Sequence, residues 1–129
     1  MILDTSAILA VVFGEPDRDE LLGRIGQAEV VGVGAPTLAE TAIVLAARLG
    51  DEGPRTLARL VERAALVVIP FEQTHWQVAA EAWLRFGRGR HPAGLNLGDC
   101  LAYATARLAG QPLLCKGDYF SKTDLALAV

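Results

Sequence analysis

Apolar positions along this chain fall in short runs separated by amphipathic stretches. Ile2 and Leu3 form a brief run that stops at Asp4, which predicts a first strand over Met1–Leu3. Thr5–Phe13 is apolar with helical potential and closes at Gly14-Glu15-Pro16. Asp17–Gln27 reads as a second helix, with Asp17 as its cap and Leu21, Leu22 and Ile25 as its inner face. Val30, Val31 and Val33 make Glu29–Gly34 a strand, because β-branched residues suit the pleat. Pro36 and Thr37 open a helix that runs to about Leu49 and stops at Gly50. Helix over Pro54–Ala65, strand over Leu66–Ile69 and helix over Thr74–Phe86 follow. Gly87–Leu95 is a loop rich in Gly and Arg, Asn96–Ala109 a helix ended by Gly110, Pro112–Cys115 a short strand, and the remainder irregular.

Strands alternating with helices predict a parallel sheet covered on both faces by helices. No repeat, linker or low-complexity segment interrupts the pattern, so residues 1–129 read as one three-layer α/β/α domain with one core. Hydrophobic residues make up 52% of the chain and aromatics only 6%, so small aliphatic side chains fill the core and some apolar surface is left for a partner. The longest apolar runs, Ala7–Phe13 and Ala64–Phe71, are far shorter than the roughly 18–20 residues a membrane helix needs. The start of the chain lacks the basic region of a signal peptide, which leads to the expectation of a cytoplasmic protein. Cys100 and Cys115 lack the spacing of a zinc site and read as buried reduced thiols. A net charge of −3 argues against an ordinary nucleic-acid footprint, unless the acids gather around a cation that inverts the local charge.

Several acids do fall where open α/β sheets bind ligands, beyond the carboxyl ends of the strands. Asp4 follows the first strand, Glu40 lies in the first turn after the second, Asp118 trails the last strand, and Asp99 lies in the first turn of the Asn96–Ala109 helix. Crowded carboxylates repel one another unless a cation neutralises them. Mg²⁺ prefers such oxygen ligands, and an acidic Mg²⁺ site without a nucleophilic Ser or Cys suits phosphodiester hydrolysis. Each acid also has an ordinary structural reading. Thr37-Leu-Ala-Glu40 fits a capping box, Asp4 and Asp99 suit helix N-termini, and Asp118 suits a turn.

The segments Met1-Ile-Leu-Asp-Thr-Ser-Ala7, Pro36-Thr-Leu-Ala-Glu40, Leu95-Asn-Leu-Gly-Asp-Cys-Leu-Ala-Tyr-Ala104 and Leu113-Leu-Cys-Lys-Gly-Asp118, with Phe120 and Thr123-Asp124, resemble the PIN-domain family. The likeness is to the VapC-type toxins of bacterial toxin–antitoxin pairs and runs over almost the whole chain. It implies a PIN fold with a parallel sheet of four or five strands and Mg²⁺- or Mn²⁺-dependent cleavage of RNA. It also implies Asp4 and Asp99 as principal metal ligands, Glu40 on the metal or its water, Asp118 completing the set, and Thr5 and Ser6 orienting Asp4 from behind. The chain departs from the family at Tyr119, where many relatives carry a second acid; Asp124 is then a further candidate.

Arg85, Arg88, Arg90 and His91 around the Gly-rich loop, and Lys116 before Asp118, are positioned to hold RNA phosphates. Arg55, Arg59 and Arg63 read as an ordinary wet helix face. His75 and His91, the only histidines, have no metal spacing or triad partner. The resemblance implies a homodimer and a VapB-like antitoxin, with Ile8–Phe13 and Leu21–Ile25 as candidates for its groove. The competing reading is a non-catalytic PIN-like module that binds RNA or protein, supported by the acid missing at Tyr119. A phosphatase or acyl hydrolase lacks its Gly-x-Ser-x-Gly elbow or phosphate-cradling loop.

Overall fold

A computed structural model describes residues 1–128. Four short parallel strands form the central sheet: β1 (Ile2–Leu3), β2 (Gly32–Gly34), β3 (Val67–Ile69) and β4 (Leu113–Leu114), in the order β3-β2-β1-β4. The register pairs Ile2 with both Gly32 and Leu113, and Val33 with Val68. Beyond β4, Leu127 adds a parallel bridge to Leu113, with the Ala128 amide donating to the Leu113 carbonyl at 2.9 Å. The C-terminal stretch expected to be irregular therefore supplies the beginning of a fifth strand.

Six helices cover the sheet: α1 (Thr5–Val12), α2 (Arg18–Gln27), α3 (Ala35–Leu49), α4 (Glu52–Arg63), α5 (Gln73–Phe86) and α6 (Leu97–Ala109). Side chains alternate across a strand, so Ile2 and Leu113 face one layer while Leu3 and Leu114 face the other. The first layer is made by α5 and α6, the second by α1 to α4. Gly34 lets α6 lie close on β2, since a Cβ there would meet Thr105 Oγ1 at 2.8 Å.

Three local expectations change. α3 begins at Ala35 with Gly34 as its cap, because Pro36 fits the first helical turn. Thr37 is thus inside the helix and makes no capping box with Glu40. Asp17 precedes α2 without capping it and turns toward Lys116 instead. Finally, Ile8, Val11 and Leu21 are buried in the core, while Val12, Phe13, Leu22 and Ile25 pack against it only partly buried, Val12 and Phe13 lining one surface depression and Ile25 another. The most exposed large apolar side chains include Trp76, Trp83 and Leu84 of α5, Leu97 of α6 and Ile43 of α3. Arg55 and Arg59 pair with Glu52 on the wet face of α4, as expected.

Candidate active site

The strand order reverses beside β1. The chain runs from β1 through β2 to β3 at one edge, then returns to lay β4 on the other side of β1. Such a reversal leaves a crevice beyond the carboxyl ends of the strands. Asp4 stands at its base. The Asp4 amide donates to the Leu114 carbonyl at 2.9 Å, which ties the end of β1 to β4.

Asp4 is 5% exposed and caps α1. Its Oδ2 accepts from the Ser6 amide at 3.1 Å and from Ser6 Oγ at 2.6 Å. Ser6 Oγ in turn accepts from the Lys116 amide at 2.9 Å, so the hydroxyl is fixed between β4's exit and the carboxylate. Burial pushes the Asp4 carboxyl up to about 6, opposed by the two Ser6 hydrogen bonds and reinforced by the negative charges of Asp99 and Glu40.

Asn96 caps α6, its Oδ1 accepting from the Asp99 amide at 2.9 Å. The Asn96 amide donates back to Asp99 Oδ2 at 3.0 Å. This is a capping box built from Asn and Asp, and the Asn96-x-x-Asp99 spacing is the sequence signal for it. Burial holds the Asp99 carboxyl above its ordinary range; the Asn96 hydrogen bond opposes this, the charge of Glu40 adds to it, and Arg88 opposes it. Glu40 reaches in from α3, where its Oε1 accepts from Thr5 Oγ1 at 2.6 Å. Thr41 Oγ1 lies 3.2 Å from the same Thr5 oxygen and 2.7 Å from the Thr37 carbonyl. Of the two hydroxyls expected behind Asp4, Ser6 serves Asp4 and Thr5 serves Glu40.

The structural and chemical readings of these acids are compatible. Asp4 and Asp99 each spend one oxygen on a helix cap and Glu40 spends one on Thr5. Asp4 Oδ1, Asp99 Oδ1 and Glu40 Oε2 keep no hydrogen bond from the described residues. Among those residues no group of three His, Cys, Asp or Glu is drawn together tightly enough to hold an ion alone. The free donors are carboxylate oxygens only. That set fits a hard divalent cation that keeps much of its water, and does not fit a closed zinc cage.

The other candidate residues divide. Asp118 is exposed, and its backbone carbonyl accepts from Ser121 Oγ at 2.6 Å. Its carboxylate pairs with none of the described residues. Asp124 is engaged by other partners. It accepts from Tyr103 Oη at 2.6 Å and pairs with Arg107 at 3.1 Å and Arg85 at 3.2 Å. Tyr103 and Arg107 stand one and two turns along α6 from Asp99, so Asp124 fastens the C-terminal segment to α6. Arg85 is occupied by that pairing. Lys116 is occupied by Glu15, with Asp17 at 3.4 Å. Arg90 donates to the Leu84 carbonyl at 3.2 Å and lies over the Trp83 ring. Arg88 is the remaining cation, near enough to lower the Asp99 carboxyl. The charge partners of Arg85 and Lys116 are distant in sequence, so local pattern could not show them.

His75 accepts from the Glu72 amide at 3.1 Å and His91 from the Ala93 amide at 3.0 Å; both are caps of local structure. Cys100 is buried and Cys115 half-buried, both free thiols. Each is pushed up to about 11, by burial first and then by charge, that of Asp99 at Cys100 and those of Asp4 and Asp99 at Cys115.

A parallel sheet with three acids at its switch point, two of them capping helices, is the architecture of a PIN domain. The PIN-domain family model matches residues 1–125. A VapC ribonuclease of Mycolicibacterium smegmatis is 41% identical over 126 residues, covering 98% of both chains. The ribonuclease VapC36 of Mycobacterium tuberculosis is 44% identical over 126 residues, covering 97% of this chain and 91% of its own. The chain therefore belongs to the PIN-domain family, within its VapC branch. In fold it matches the crystal structure of the M. tuberculosis toxin VapC20, with a TM-score of 0.80, 18% identity and coverage of 98% and 97%.

Proposed function

We propose that this protein is a divalent-metal-dependent endoribonuclease, the toxin of a VapBC-like toxin–antitoxin pair. The observation that carries the reading is the convergence of Asp4, Glu40 and Asp99, each with a free oxygen, at the switch point of a VapC-family sheet. Relatives over the full chain are named ribonucleases. In this reading Asp4 and Asp99 hold Mg²⁺, with Mn²⁺ able to replace it, and Glu40 binds the ion or one of its waters. Asp118 supplies a further carboxylate at the rim, since Asp124 is committed to Tyr103 and two arginines. The bound ion supplies positive charge and Lewis acidity for phosphodiester hydrolysis. Ser6 fixes Asp4 and Thr5 fixes Glu40, so both carboxylates are oriented before substrate arrives. Arg88 meets a phosphate next to Asp99, and Arg90 joins it on leaving Trp83.

Structural neighbours include a toxin–antitoxin complex from Klebsiella pneumoniae and VapBC2 of Rickettsia felis. They support an antitoxin partner for this chain, and in this reading the toxin also forms a homodimer. The exposed Trp76, Trp83, Leu97 and Ile43 offer apolar surface for such contacts. No helix among the described residues is long and apolar enough to cross a membrane. In this reading the toxin acts on RNA in the cytoplasm.

Mapping the 5′ ends of total cellular RNA after brief expression tests the reading. New ends at a small set of sites, absent with Asp99→Asn and suppressed by co-expressed antitoxin, are expected. Unchanged RNA with retained antitoxin binding would instead establish the non-catalytic module that Tyr119 leaves as the second reading.

A further inference from the structure

Gly98 is the second residue of α6, and its φ is not in the left-handed region. Nothing in the backbone requires glycine there, and glycine inside a helix is less favourable than alanine because it loses more freedom on folding. Its use has another cause. A Cβ at this position would overlap Glu40 Oε2 and lie 2.7 Å from Glu40 Cδ and 2.8 Å from Oε1. We propose that Gly98 is a positioning residue: its missing side chain is the recess that seats the Glu40 carboxylate against the first turn of α6, beside Asp99.

The consequence of filling the recess follows from which atoms would move. The obstructing atoms belong to the far end of a flexible side chain and not to backbone. An added methyl therefore displaces Glu40 and leaves α3 and α6 where they are. Glu40 loses its 2.6 Å hydrogen bond from Thr5 Oγ1 and withdraws from Asp99. The fold keeps its packing and α6 gains a better helix former. Site and stability should respond in opposite directions, which a merely structural glycine would not produce. The inference rests on Glu40 serving the metal.

The test is a cycle of wild type, Gly98→Ala, Glu40→Ala and the double variant, read by Mn²⁺ calorimetry and thermal unfolding of the metal-free protein. Gly98→Ala should weaken Mn²⁺ binding by about tenfold or more, the loss typical of disturbing a group that orients a ligand, while its metal-free Tm stays level or rises. In the Glu40→Ala background, where no carboxylate fills the recess, Gly98→Ala should add nothing. Wild-type affinity in Gly98→Ala overturns the proposal. So does an equal loss in the Glu40→Ala background, or a lowered metal-free Tm. Wild-type affinity in Glu40→Ala overturns the assignment of Glu40 itself, a result distinguishable from the failure of Gly98.

Discussion

Asp4→Asn should make the metal-free protein more stable at neutral pH while disabling its site. Asp4 is 5% exposed, and its carboxyl rises from 3.8 to about 6 through burial and the neighbouring acids. The folded protein thus binds a proton more tightly at this position than the unfolded chain. Between these two values the folded state carries more protons, so stability falls as pH rises through the window. The rise amounts to about 3 kcal/mol at about 1.4 kcal/mol per pH unit, fully expressed above pH 7. At pH 4.5 only about 1 kcal/mol of that penalty has developed. Asparagine keeps the shape and an oxygen to accept from Ser6 but carries no charge to bury. Metal-free Asp4→Asn should therefore unfold about 10 °C above wild type at pH 7.5, using about 3–4 °C per kcal/mol for a domain of this size. The gain should shrink to a few degrees at pH 4.5. Saturating Mg²⁺ should raise the Tm of wild type and leave the variant unmoved. Scanning calorimetry at the two pH values, with EDTA and with Mg²⁺, measures all four quantities. A destabilised variant at pH 7.5, or a gain equal at both pH values, would refute the claim that Asp4 is held charged against its environment.

Ser6→Ala removes the 2.6 Å donor to Asp4 and the acceptor of the Lys116 amide, and should lower Mn²⁺ affinity by about 10–100-fold in calorimetry. Asp124→Ala should destabilise by about 1–2 kcal/mol in urea titrations, through loss of the Tyr103 hydrogen bond, while Mn²⁺ affinity stays at the wild-type value. Asp118→Asn should reduce cleavage less than Asp4→Asn or Asp99→Asn, because its carboxylate is exposed and is held by none of the described residues. Arg88→Ala should weaken RNA binding most at low salt, as expected for a phosphate contact, in fluorescence titrations against ionic strength.

Much of this architecture is legible from local pattern, and the exceptions share a cause. Asp4 and Asp99 stand out because a strand end and a helix start are readable from neighbours, and their caps each use one oxygen and leave the other free. Glu40 was legible from its place after the second strand, but its competing reading as the partner of Thr37 in a capping box is not what the fold shows, since Thr5, far away in sequence, holds the carboxylate. Arg85 and Lys116 look free on the chain and are paired in the fold, with Asp124 and with Glu15 and Asp17. The candidate groove segments divide in the same way, Ile8, Val11 and Leu21 in the core and Val12, Phe13 and Ile25 at surface depressions. Amphipathic spacing marks Leu21, Leu22 and Ile25 as one face, but not whether that face meets the core or a partner. Gly98 had no sequence signal beyond its odd place in a helix; only the approach of Glu40 gives it a reason.

The central claim is that Asp4, Glu40 and Asp99 form a metal-dependent site for cutting RNA. Its most direct test is cleavage of purified cellular RNA by antitoxin-free protein in Mg²⁺, beside Asp99→Asn prepared identically. Discrete fragments from wild type, lost on adding EDTA, restored by Mn²⁺ and absent with Asp99→Asn, are predicted. Fragments that persist in EDTA, or that Asp99→Asn produces at the wild-type rate, would contradict it.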